Sequence, residues 1–166
     1  MMTSTARFGL LFALLALSAC GFQLRGTGTD GGTYRLDTPI AIAGLPPYGP
    51  MARALRQALD AAGASVDGAR GAAAVLQVSS HDSTRRILSV DRRNKAVEYE
   101  LEEALTFRVS GADGTARVPR QSVRTLRILY DPDTETLGRG NEEELLREDM
   151  RRELADRVLQ RLGSQF

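Results

Sequence analysis

The stretch VEYELEEALTFRVS, residues 97–110, alternates apolar and polar side chains along almost its whole length. Val97, Tyr99, Leu101, Leu105, Phe107 and Val109 fall on one side; Glu98, Glu100, Glu102, Thr106 and Arg108 fall on the other. A period of two belongs to a β-strand, in which neighbouring side chains point to opposite faces. Wound as a helix, the same residues would scatter around the axis and bury no continuous surface. The chain must therefore build a sheet with one covered face and one wet face, the pattern of antiparallel sheets rather than enclosed parallel ones. Glu103 breaks the apolar side, which predicts that the cover is open there or that the strand is bulged.

The neighbouring segments supply partners for this strand. PIAIAG, from Pro39, alternates weakly and reads as a first strand, followed by a turn at Pro46 and Pro47. GPMARALRQALDAAG has helix punctuation: Gly49 to cap, Pro50 at the first helical position and Gly63 just past the end. Met51, Leu55, Ala58, Leu59 and Ala62 share one helical face. AAAVLQVSS, residues 72–80, reads as a second strand. Ala112, Asp113 and Gly114 offer a hairpin turn, and VPRQSVRTLRILY returns as a fourth strand. In NEEELLREDMRRELADRVLQRLG, Asn141 is positioned to cap, Glu144 stands at the capping-box position, and Leu146, Met150, Leu154, Val158 and Leu162 make a row flanked by Leu145, Ala155 and Leu159. The order of strand, helix, three strands and helix predicts an α+β two-layer sandwich, with two helices packed on one face of a mostly antiparallel four-stranded sheet. A chain of 166 residues, 42% hydrophobic and 26% charged, is expected to hold one such domain, residues 38–166.

The start of the chain follows different rules. Phe8 to Ala19 is an uncharged run of 12 residues behind Arg7, short of the ~20 needed to span a bilayer and suited to a secretory signal. Leu17-Ser18-Ala19-Cys20 resembles the lipobox of bacterial lipoproteins, in which the Cys thiol is acylated and the bond before it is cut. The expectation is a signal peptide over residues 1–19, then lipidated Cys20 with an extended, Gly- and Thr-rich tether to residue 37. Several acyl chains anchor far more firmly than the marginal single chain. Gly21, in place of the Asp that usually retains such lipoproteins in the inner membrane, points to the outer membrane, periplasmic side. As the only cysteine, Cys20 excludes an internal disulfide, and with His81 as the only histidine a structural zinc site lacks ligands.

Little in the sequence suggests bond-making chemistry. His81, Asp82 and Ser83 are residue types of a hydrolase triad, but consecutive strand residues face opposite ways, so His81 reads as a solvated strand histidine. Asp131, Asp133, Glu135 and Glu142 have the spacing of a calcium loop, yet Thr136 stands where a glycine must turn, and Pro132 and Arg139 oppose the fit. No metal or cofactor is expected. Charge is the stronger signal. From His81 to Val97, five cations (Arg85, Arg86, Arg92, Arg93, Lys95) stand against two acids, and four arginines without an acid lie from Arg117 to Arg127. Asp131 to Asp149 holds eight acids against two arginines. Outside the inner membrane, a basic surface meets phosphorylated lipid headgroups rather than nucleic acid, and the arginine fork suits two phosphate oxygens at once.

The segments LSACGFQLRG, GPMARALRQALDAAGASV, NKAVEYELEEALTFRV and LRILYDPDTETLGRGNEEELLREDMRRELADRVLQRL together resemble the LptE family of lipopolysaccharide-assembly lipoproteins. The resemblance implies a small α+β lipoprotein seated as a plug in the LptD outer-membrane β-barrel, receiving lipopolysaccharide and passing it to the outer leaflet. It also implies lipopolysaccharide contact through Arg92, in the turn before NKAVEY, and Arg139, in the loop after YDPDTETLG; Arg93 and Lys95 join them on charge alone. Glu98, Glu100, Glu102, Arg120 and Arg124 are the expected polar rim against the barrel. The chain ends without the long polar tail of some members. Two other readings stay open: another periplasmic lipoprotein adaptor, such as a lipid-transport auxiliary or a pilotin, and a cell-wall-acting enzyme. The enzyme would need facing carboxylates or a nucleophile with its base, and the sequence offers neither.

Overall fold

The structure is a computed structural model that describes Leu36 and residues 38–64, 71–131 and 139–163, all within a compact unit running from Tyr34 to Phe166. The signal segment, Cys20 and the tether lie outside the described residues, as does most of the loop with calcium-like spacing. Four strands and two helices follow in the order β1 (Ile40–Ala43), α1 (Pro50–Ala61), β2 (Ala74–Val90), β3 (Ala96–Gly111), β4 (Ala116–Tyr130) and α2 (Arg139–Gly163). The sheet order is β1-β2-β3-β4, with β1 parallel to β2 and the other pairs antiparallel, so the expected mostly antiparallel sandwich is the fold observed.

Local chemistry explains the elements. Helix α1 opens behind Gly49 with Pro50 in its first turn, and Gly63 at φ +84° ends it, letting the Ala64 amide donate to Leu59 O at 3.0 Å. Met51, Leu55 and Leu59 from α1 meet Leu154, Val158 and Leu162 from α2 over Leu76, Val78, Leu105, Phe107 and Val109 of the sheet. All of these are buried, as the two periodicities predict. Tyr99, Leu101, Leu129, Leu146 and Met150 form a second, smaller cluster farther along the sheet.

Four expectations need correction. Strand β2 does not stop at Ser80 but runs to Val90, because its backbone is held by β3 and by cross-strand bonds such as Arg86 to Glu100 at 2.8 Å and Ser89 to Glu98 at 2.6 Å. Helix α2 begins at Arg139, so Asn141 lies inside it rather than capping it. Leu145 is 59% exposed and lies off the buried row. Glu103 marks neither an opening nor a bulge. It is fully buried, and the register shifts of β3 against β4 fall near Phe107, Val109 and Ser110.

Gly44, just after β1, has φ +87°, and a Cβ there would sit 2.0 Å from Val78 O. Gly44→Ala is therefore expected to cost at least about 1–3 kcal/mol from the backbone conformation alone, read as a lowered midpoint in urea unfolding.

Candidate functional site

The basic residues singled out in the sequence gather at the tip of the β2–β3 hairpin. Asp91 builds this turn. Its carboxylate accepts the amides of Arg93 at 2.8 Å and Lys95 at 2.9 Å, while its own amide donates to Lys95 O at 2.7 Å. Asn94 takes φ 61°, a left-handed conformation that asparagine tolerates better than most side chains. Amide donation from Lys95, and then contacts from Arg93, hold the Asp91 carboxyl below its ordinary range. Arg92, Arg93 and Lys95 are all exposed around this ordered turn. Arg93 leans back on Asp91 at 3.3 Å, whereas Arg92 makes no ion pair among the described residues. An exposed arginine on a turn fixed by backbone hydrogen bonds is a ready donor to a phosphate or carboxylate.

Arg139, the other residue assigned to anion contact, opens α2. One helical turn later, Glu143 pairs with Arg85 of β2 at 3.1 Å. Arg85 also reaches Asp131 at the end of β4, at 3.7 Å, and stacks over the Tyr99 ring with its guanidinium carbon 3.6 Å from the centroid. The Asp131 amide in turn donates to Val97 O at 2.8 Å, two residues beyond Lys95. The start of α2, the end of β4 and the base of the basic turn are thus joined through Arg85.

From Glu143 the chain of charges runs inward. Arg147 binds Glu143 at 2.9 Å, Ser83 Oγ at 2.6 Å and Glu103 at 3.3 Å. Glu103 further accepts from Ser83 Oγ at 2.7 Å, faces His81 Nε2 at 2.7 Å and lies 3.6 Å from Arg151. Burial pushes the Glu103 carboxyl up, but bonds from His81, Ser83 and Arg147 outweigh it and hold the group below its ordinary range. His81 is correspondingly not a solvated histidine: its side chain is 19% exposed and packed against Glu103. Asp82 points to the opposite face, so the triad geometry is absent, as the alternation of strand side chains requires. Among the described residues no group of acids and histidines fits a metal ion, and no helix is long and apolar enough to cross a membrane.

Comparison with known proteins places this arrangement. A family model described as "LptE: Lipopolysaccharide-assembly" matches residues 38–162, which include both helices and all four strands almost completely. The chain belongs to the LptE family. It is 29% identical over 152 residues to the LPS-assembly lipoprotein LptE of Pectobacterium atrosepticum, covering 90% of this chain and 80% of that one. The Photorhabdus laumondii protein of the same name is 30% identical with the same coverage. Among solved structures, rare lipoprotein B from Shewanella oneidensis superposes with TM-score 0.65 at 25% identity, covering 76% of this chain and 94% of that one. Lipoprotein B from Nitrosomonas europaea gives TM-score 0.67 at 25% identity, covering 87% and 91%.

Within this LptE-family chain, sequence reasoning located the basic turn but missed the residues that organise it. Asp91 was readable as an acid two and four residues before amides needing acceptors. Arg85 and Glu103 were not, because their partners Glu143, Arg147 and Arg151 lie some 40 to 60 positions away.

Removing the Glu103 carboxylate leaves a buried void and takes one acceptor each from Arg147 and Arg151, which keep Glu143 and Glu144. Glu103→Ala is expected to destabilise by about 3–5 kcal/mol in urea unfolding. Because the folded carboxyl titrates below its ordinary range, its stabilisation is complete above that range and is lost as pH falls through the lowered folded value. A plot of stability against pH should show this acid limb in the native protein and a flatter one in Glu103→Gln.

Proposed function

We propose that this chain is an outer-membrane lipoprotein, anchored through Cys20 on the periplasmic side, that plugs and helps assemble the LptD β-barrel. In the same reading it binds lipopolysaccharide through Arg92, Arg139, Arg93 and Lys95 and passes it to the outer leaflet. Its role in lipopolysaccharide assembly rests on family membership over residues 38–162. The observation that carries the binding role is the ordered turn that presents Arg92, without an ion pair among the described residues, beside Arg93 and Lys95.

The action is binding, not bond-making. Arginine forks at the tip engage the phosphates of lipid A and compete with the cations that hold lipopolysaccharide molecules together. The helix-free face of the sheet, with Glu98, Glu100, Glu102 and Arg124, supplies polar groups matched to the polar interior of a membrane barrel. Arg120, beside the register shift in β4, extends this rim.

Affinity purification of the mature lipoprotein from detergent-solubilised membranes is expected to recover a large outer-membrane barrel; its absence would favour a different envelope adaptor. Arg92→Asp combined with Arg139→Asp is expected to weaken capture of purified lipopolysaccharide by about 100-fold or more, the loss of two charge-assisted contacts at about 1.5 kcal/mol or more each. Unchanged capture by the folded double variant would remove the binding role.

A further inference from the structure

We propose that Arg85 is a positioning residue for anion binding: it locks the first turn of α2, where Arg139 stands, to the hairpin that carries Arg92. The assignment rests on the reading above that Arg92 and Arg139 bind phosphate groups of one ligand. Two arginines on separate elements can grip one phosphorylated headgroup only if the elements keep a fixed spacing. Arg139 stands at the start of α2, one helical turn before Glu143. Arg85 holds Glu143 at 3.1 Å and Asp131 at 3.7 Å, and the Asp131 amide is fastened to Val97 O at 2.8 Å, next to the turn.

Stacking on Tyr99 restricts the guanidinium to one plane, so the two carboxylates meet a preset fork rather than a flexible point charge. The Arg85 side chain is 37% exposed, with Asp131 and Glu143 more covered at 25% and 23%. Such a half-covered clasp adds little to global stability but sets the geometry of what it joins. The bulk of the core lies elsewhere, around Phe107, Leu105 and Leu154, so opening the clasp leaves the fold in place.

The test uses the full mature chain in detergent, with immobilised purified lipopolysaccharide as probe and neutral phospholipid vesicles as the control surface. Arg85→Ala is expected to weaken binding about five-fold with little change in melting temperature. On an Arg139→Ala background it should add almost nothing, whereas two independent contacts would multiply. Glu143→Gln, which opens the same clasp from the helix, should reproduce the loss, and Arg85→Lys should restore part of it. Native binding by Arg85→Ala and Glu143→Gln, or full additivity of Arg85→Ala with Arg139→Ala, would overturn the positioning role while leaving the phosphate reading intact. Native binding by folded Arg92→Ala and Arg139→Ala would instead overturn the phosphate reading, and this assignment with it.

Discussion

A carboxylate sealed away from solvent has to be matched by donors and opposite charge, and Glu103 imposes that requirement on the middle of the covered sheet face. Placing an ion there costs several kcal/mol in lost hydration, so the helix above must set cations beside its apolar row of Met150, Leu154, Val158 and Leu162. Helix α2 answers with Arg147 and Arg151, and β2 answers with His81 and Ser83. The result divides the interior: the large apolar cluster lies toward Phe107 and Leu154, the small one toward Leu101 and Met150, with charged residues between them. This layer fixes the rotation of α2 about its own axis, because Arg147 and Arg151 must both face Glu103. Apolar packing alone would tolerate neighbouring settings.

From that layer outward, the structure becomes steadily more polar. Beyond the second cluster the hairpin continues as a narrow arm stabilised by ladder hydrogen bonds and cross-strand pairs, ending in the turn that Asp91 shapes. The ion pairs running from Glu103 through Arg147, Glu143 and Arg85 to Asp131 form one path from the interior to the base of the turn. Exposed pairs of this kind contribute little individually, but a chain of alternating charge specifies relative position well. In an LptE-family chain, whose helices and strands are few, that is an economical way to hold the basic turn and the start of α2 in register.

How much of this was legible in the sequence follows from the range of the interactions involved. Strand β3, helix α1 and the buried row of α2 announce themselves by local periodicity, and the sheet order follows from the succession of elements. The far half of β2 was missed because His81 to Val90 lacks apolar alternation; it is a strand through its partner, not through its own pattern. Glu103 looked like a flaw in an amphipathic strand because the sequence gives no sign that arginines 44 and 48 positions later will cover it. Basic residues at the tip were legible as charge. That Arg92 is left unpaired while Arg93 is drawn back to Asp91 is a matter of turn geometry.

The shortness of β1 has a consequence of its own. It pairs with β2 only from Ala74 to Gln77, so among the described residues the outer rim of β2 beyond that point has no neighbouring strand, and neither does the outer rim of β4. Unpaired rims invite a foreign strand to join. The sequence deters it with adjacent guanidinium groups at Arg85 and Arg86, and with Pro119, which offers no amide and lies where the β3–β4 register shifts. The Arg147 guanidinium also occupies the Thr84 carbonyl at 3.3 Å, leaving one acceptor fewer for an intruder. The arginines that tie α2 to the hairpin thus also guard the open edge of β2.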